Sequence, residues 1–153
     1  MMNEKVKVIM TKDPITVGPK DTLEKATKIL KDFRIEHLPV IDDNKKLLGI
    51  ISFFDLWELD KSRKEYKNIK VEDIMTKRVA KLNPDDKVGS VAEIFLENLF
   101  EAIPIVDDDN TLVGIVTMLD VVWYEYKKEY PRHYGDFVHF KDYHLENIKN
   151  KES

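Results

Sequence analysis

Gly49-Ile50-Ile51-Ser52-Phe53-Phe54-Asp55-Leu56 reads GIISFFDL, and the same pattern returns as GIVTMLDV from Gly114 to Val121. Each copy runs glycine, two β-branched residues, a hydroxyl, two apolar residues and a carboxylate three places after the hydroxyl. Outward from this pair the correspondence holds at a constant offset with no gap. Ile9-Met10-Thr11-Lys12 falls on Ile74-Met75-Thr76-Lys77, Pro39 on Pro104, and Asp42-Asp43 on Asp107-Asp108. Val6–Leu56 against Val71–Val121 has 16 identities in 51 positions, so the chain contains a duplicated unit.

Each unit has legible elements. Asp21 with Glu24 three residues on reads as a helix cap, followed at helical spacing by Leu23, Ala26, Thr27, Leu30 and Phe33. The second copy repeats the spacing with Val88, Val91, Ala92, Phe95 and Leu99. Leu38-Pro39-Val40-Ile41, the turn Asp42-Asp43-Asn44 and the run Leu47–Ile51 predict a hairpin, with the proline expected at a strand start. Ser52 and Asp55 then open another helix. The unit is thus strand, helix, strand, strand, helix. At about 50 residues it is too small to bury its own sheet face, so the two should pack into one pseudo-symmetric body. The expected division is repeat 1 over 1–60, a charged linker over 61–70, repeat 2 over 71–126 and an extension over 127–153.

Composition limits the function classes. The 153 residues carry 42% hydrophobic and 35% charged side chains with a net charge of −4, which argues against nucleic acid as the main partner. The absence of cysteine removes disulfides, thiol nucleophiles and zinc-thiolate sites. No apolar run is long enough for a membrane span, and the charged start MMNEKVKV lacks a signal-peptide core, so a cytoplasmic protein without membrane contact is expected. The five glycines stand apart, giving no Walker loop and no GxGxxG, and HExxH and GxSxG are also missing, so no enzymatic activity is expected.

Two readings are open at the repeated motif. In one, Ser52 and Asp55 cap a helix and Gly49 permits close packing or an unusual backbone angle. In the other, the same hydroxyl and the helix amides receive a phosphate, and the carboxylate one turn on accepts the hydroxyls of a ribose.

These motifs, HLPVIDDNKKLLGIISFFDL and AIPIVDDDNTLVGIVTMLDV with MTKDPITVGPKDTLEKATKIL and IMTKRVAKLNPDDKVGSVAEIF before them, resemble a tandem pair of CBS domains, the Bateman module, over residues 5–122. The resemblance implies an α/β (α+β) fold of two pseudo-twofold β-α-β-β-α repeats packed through their sheets, here with an aromatic-rich C-terminal extension. It implies a non-catalytic sensing module that acts on a separate effector protein, although such pairs also occur inserted in IMP dehydrogenase. The implied ligands are AMP, ADP, ATP or S-adenosylmethionine, with Mg2+ where a polyphosphate binds, held in two clefts between the repeats. One cleft would combine Ser52 and Asp55 with Ala80, Phe100, Ala102 and Pro104. The other would combine Thr117 and Asp120 with Ile15, Ile35, His37 and Pro39. The positions before the strand proline, often basic in members that bind nucleotides, are Glu36-His37 and Glu101-Ala102, so the cleft with His37 is expected to suit phosphate better and a less anionic ligand stays open. The family's habit of pairing through its helices implies a homodimer.

The segment from Val122 onward holds five of the six tyrosines and three of the four histidines. His133, Asp136, His139, Asp142 and His144 match no established ligand spacing, which favours packed or solvated side chains over a metal site. A helix is expected to reach about Tyr130, where Pro131 and Gly135 interrupt it. The aromatics Trp123, Tyr124, Tyr126, Tyr130, Tyr134, Phe137, Phe140 and Tyr143 are expected to cover the module or a subunit interface.

Overall fold

The computed structural model describes residues 2–59 and 61–131. The tail residues His133, Tyr134, Asp136, Phe137, His139, Phe140, Asp142, Tyr143 and His144 therefore lie outside the described residues. The first unit contains β1 (Thr11–Lys12), α1 (Leu23–Phe33), the hairpin β2 (His37–Ile41) and β3 (Leu47–Ser52), and α2 (Phe53–Glu58). The second contains α3 (Val71–Ile74), α4 (Val88–Asn98), the hairpin β4 (Ala102–Val106) and β5 (Leu112–Thr117), and α5 (Met118–Glu129).

The expected periodicity buries what it should: Leu23, Ala26 and Leu30 on α1 and Val88, Val91 and Phe95 on α4 all face the interior. Two local expectations shift. The cap of α1 is Thr22, whose hydroxyl accepts from Lys25 N, because Asp21 is already engaged by Gly18 N at 2.8 Å and by the Lys25 ammonium. Its counterpart Asp86 likewise accepts from Asn83 N at 2.7 Å, and Lys87 at the head of α4 makes no side-chain cap.

The prolines also sit differently. Pro39 and Pro104 are in mid-strand, opposite Ile50 and Ile115. Ile50 directs both its N–H and its carbonyl away from Pro39, to Thr76, at 3.0 and 2.9 Å. Pro39 therefore faces a partner with no hydrogen bond to exchange, and the missing donor leaves nothing unpaired on that side.

The hairpin turns follow from Asp42 and Asp107. Asp42 Oδ1 accepts from Asn44 N and Lys46 N, and Asp107 Oδ1 from Asp109 N and Thr111 N. Lys45 and Asn110 complete the two turns with φ of 60° and 63°. The turns meet across the pseudo-twofold axis: Leu47 N donates to Asn110 O and Leu112 N to Lys45 O, over a small apolar contact of Ile41, Leu47, Val106 and Leu112.

The cores do not follow the repeats. β1, from the start of the chain, pairs with β5 of the second unit, while Thr76 bridges Ile50 on β3 of the first. Val6 and Ile9 are buried in the core that holds Val88, Val91, Phe95 and Val116. In exchange, Val71 is buried among Leu23, Leu38 and Ile51 together with Tyr66, a residue of the expected linker whose hydroxyl donates to Leu56 O at 2.7 Å. Each unit lends its lead-in segment to the other.

Candidate functional site

The repeated motif forms two like corners where a strand becomes a helix. Ser52 ends β3 and caps α2: Asp55 N donates to Ser52 Oγ at 3.2 Å, and Ser52 N donates to Asp55 Oδ2 at 2.7 Å. Thr117 ends β5 and caps α5 in the same way, with Asp120 N to Thr117 Oγ1 at 3.4 Å and Thr117 N to Asp120 Oδ2 at 2.8 Å. Each hydroxyl also donates to its carboxylate, at 2.9 and 3.0 Å. The capping reading of the motif therefore holds in both copies.

The amides at these corners are mostly engaged by the chain. Phe53 N donates to Glu36 O at 2.8 Å and Met118 N to Glu101 O at 3.1 Å. The amides of Asp55 and Asp120 are taken by the Ser52 and Thr117 hydroxyls. Asp120 is buried, at 5% exposure, and Asp55 is half-buried.

The glycine in the motif serves the exchange of segments. A Cβ on Gly49 would lie 2.6 Å from Thr76 O and 2.9 Å from Met75 Sδ. On Gly114 it would lie 2.7 Å from Met10 Sδ and 3.0 Å from Thr11 O. No glycine among the described residues has positive φ, so close approach, not backbone angle, is what the position requires. Sequence reasoning had no means to name Thr76 or Met10 as the partners, because neither is near in the chain.

The other expected site residues fall on the hairpins around these corners. Ala102 and Pro104 lie on β4, with Ala102 opposite Thr117. Ala80 is half-buried just before Leu82, which bridges Ile105, and Phe100 stands 42% exposed before β4. Ile15 and Ile35 pack against the first core, and Pro39 is buried on β2. His37, expected with Thr117 and Asp120, lies opposite Ser52 in the β2–β3 register, just as its counterpart Ala102, expected with Ser52 and Asp55, lies opposite Thr117.

Burial pushes the His37 imidazole below its usual pKa, against the opposing pull of Glu101, Glu36 and Asp55. Those three carboxylates are the charges that act on it; of the two motif aspartates it is Asp55 that does so. Glu101 belongs to the second unit, so the heads of β2 and β4 approach one another. Glu36 and Glu101, which occupy equivalent positions in the two copies, were legible as a pair in the sequence. Their carbonyl bonds to the helix starts were not.

Comparison with known proteins places the whole arrangement. The sequence profile of the CBS domain matches residues 6–56 and 71–126. Inosine-5′-monophosphate dehydrogenase of Methanocaldococcus jannaschii is 36% identical over 129 residues, which is 84% of this chain and 24% of that protein. L-aspartate semialdehyde sulfurtransferase of the same organism is 37% identical over 116 residues, 76% of this chain and 22% of that protein. The chain thus spans about a quarter of these two curated relatives. Among solved structures, CBSX2 in complex with AMP superposes with a TM-score of 0.73 at 27% identity, over 82% of this chain and 99% of that one. A CBS domain pair in complex with 5′-methylthioadenosine and S-adenosyl-L-methionine superposes with a TM-score of 0.73 at 33% identity, over 82% and 98%.

Proposed function

The chain belongs to the CBS domain family as a tandem pair, and on that premise we propose that it is a non-catalytic regulatory module that binds an adenosyl ligand and reports its presence to a separate effector protein. The observation that carries this reading is the twice-built corner at Ser52 and Asp55 and at Thr117 and Asp120. Both bonds that the Asp55 carboxylate accepts from Ser52 fall on Oδ2, which leaves Oδ1 for the hydroxyls of a ribose. A charge-assisted bond of that kind contributes about 1.5–3 kcal/mol. The similar structures that hold AMP, 5′-methylthioadenosine and S-adenosyl-L-methionine support adenosyl ligands as the class.

One cleft takes Ser52 and Asp55 with Ala80, Phe100, Ala102 and Pro104; the other takes Thr117 and Asp120 with Ile15, Ile35, His37 and Pro39. The similarity to the dehydrogenase and the sulfurtransferase lies in their CBS segments and brings no catalytic role to this chain. Binding reaches an effector only through different affinity for two states of the module. The outward faces of α2 and α5 carry Phe53, Phe54, Trp57, Leu119 and Val122, each more than half exposed, which supports a homodimer through these helices.

Calorimetry of the ligand-free chain with AMP, ATP, 5′-methylthioadenosine and S-adenosylmethionine tests the proposal. Asp55→Asn and Asp120→Asn keep an acceptor for the capping amides and remove the charge. Each is expected to weaken binding at its own cleft by about 1.5–3 kcal/mol, on the scale of hydrogen bonds to charged groups. Absence of heat with all four ligands would overturn the adenosyl reading.

A further inference from the structure

We propose that a second copy of this chain pairs with the first in reversed orientation, so that α1 and α2 of one protomer lie against α4 and α5 of its partner. The inference rests on the homodimer proposed above and concerns its orientation. A twofold pair can set like ends or unlike ends of the module together, and the charges on the two helix faces decide between them.

α1 and α2 cover one core through Leu23, Leu30 and Leu56, and α4 and α5 cover the other through Val88, Phe95 and Val121, so each pair of helices turns a face outward. The apolar parts of these faces are alike, with Phe53, Phe54 and Trp57 on α2 and Leu119 and Val122 on α5 all exposed. The charged parts are opposite. α1 exposes Lys25, Lys28 and Lys31 against Glu24, and Arg34 follows at its cap, whereas Glu93 and Glu97 are the only charged residues along α4 and both are exposed. Lys25 and Lys28 also pair with Asp21 and Asp32, but ion pairs at so exposed a surface hold little free energy. Lys28 and Glu93 occupy the same place in the two repeats, as do Lys31 and Leu96, and Arg34 and Leu99. Like-to-like pairing would bring the lysines of α1 to their own copies and the glutamates of α4 to theirs. Reversed pairing brings the basic face to the acidic one at both ends of the dimer. It also offers Leu96 and Leu99, 80% and 86% exposed, the aliphatic stems of Lys31 and Arg34. Because α2 starts at Ser52 and α5 at Thr117, unlike corners of the two copies then meet.

Charge reversal separates the two orientations. In a like-to-like dimer, reversing one face only replaces one set of like charges by another; in a reversed dimer it turns attraction into repulsion. Sedimentation equilibrium of the full chain is therefore compared with Lys28→Glu/Lys31→Glu, with Glu93→Lys/Glu97→Lys and with all four changes together. Each double variant is expected to weaken the dimer at least about tenfold, from four exposed pairs worth a factor of about two each, and the fourfold variant is expected to recover most of that loss. A dissociation constant unmoved in both double variants, or no recovery in the fourfold one, would overturn the reversed orientation. The absence of native cysteine permits a second measurement that does not depend on the charge variants folding. Trp57 and Val122 hold equivalent, exposed positions on α2 and α5. Trp57→Cys and Val122→Cys chains, mixed and oxidised, are expected to give chiefly the mixed disulfide, identified by mass. Disulfides chiefly between chains of the same variant would overturn the proposal. A native chain that stays monomeric at every concentration would overturn the homodimer and its orientation together, and leave the adenosyl reading standing.

Discussion

At the scale of single residues, His37 is the titratable group whose surroundings matter most. Burial lowers its pKa from the ordinary 6.5, while Glu101, Glu36 and Asp55 pull the other way, and the net direction is down. The unfolded chain therefore takes up this proton first as pH falls. Above pH 6.5 the group has no differential effect on folding; below it, stability declines toward the lowered folded value. Urea midpoints between pH 7 and pH 5 should fall for the native chain, and the fall should be shallower in His37→Gln. An equal slope in both would show that the imidazole is indifferent to folding. The sequence displayed Glu36 beside His37 but grouped the imidazole with Asp120, not with Asp55. It did not display Glu101 as a neighbour, because that proximity arises from two strands 65 positions apart converging on the pseudo-twofold axis.

At the scale of elements, the strand that carries each motif is shaped by the segment that crosses it. β3 accepts Thr76 and β5 accepts β1, and each crossing runs directly over a glycine. Gly49→Ala would press its Cβ against the Thr76 carbonyl at 2.6 Å, a main-chain atom with little room to yield. Gly114→Ala would meet first the flexible Met10 side chain at 2.7 Å, with the Thr11 carbonyl at 3.0 Å. Overpacking of this sort costs about 1–3 kcal/mol, so both variants should lose stability in chemical denaturation, with Gly49→Ala the worse. Equal stability of Gly49→Ala and the native chain would remove close approach as the reason for the glycine. Helix periodicity on α1 and α4, the aspartate turns and the caps at Ser52 and Thr117 were all readable locally. The cap of α1 moved one residue because Asp21 found Gly18 N, a competition between two nearby donors that composition does not decide.

At the scale of the whole molecule, neither unit completes its own core. Residues 1–60 alone would lack Tyr66 and Val71, and residues 61–131 alone would lack Val6 and Ile9. Each half expressed by itself should therefore fail to show a cooperative thermal transition, and mixing the two should restore one. A sharp transition in a lone half would show that the exchanged segments are dispensable. The sequence by itself determined the duplication, the element types, the apolar faces of the helices and the two capping corners. All of these are set by spacing within a dozen residues, where helix and strand periods and short hydrogen bonds act. Only the tertiary structure decided that the lead-in segments trade places, that Gly49 and Gly114 answer to Thr76 and Met10, and that His37 faces Ser52 with Glu101 near by. Those contacts depend on burying two incomplete apolar faces at once, and the free energy of that burial belongs to the pair of units and not to either sequence segment alone.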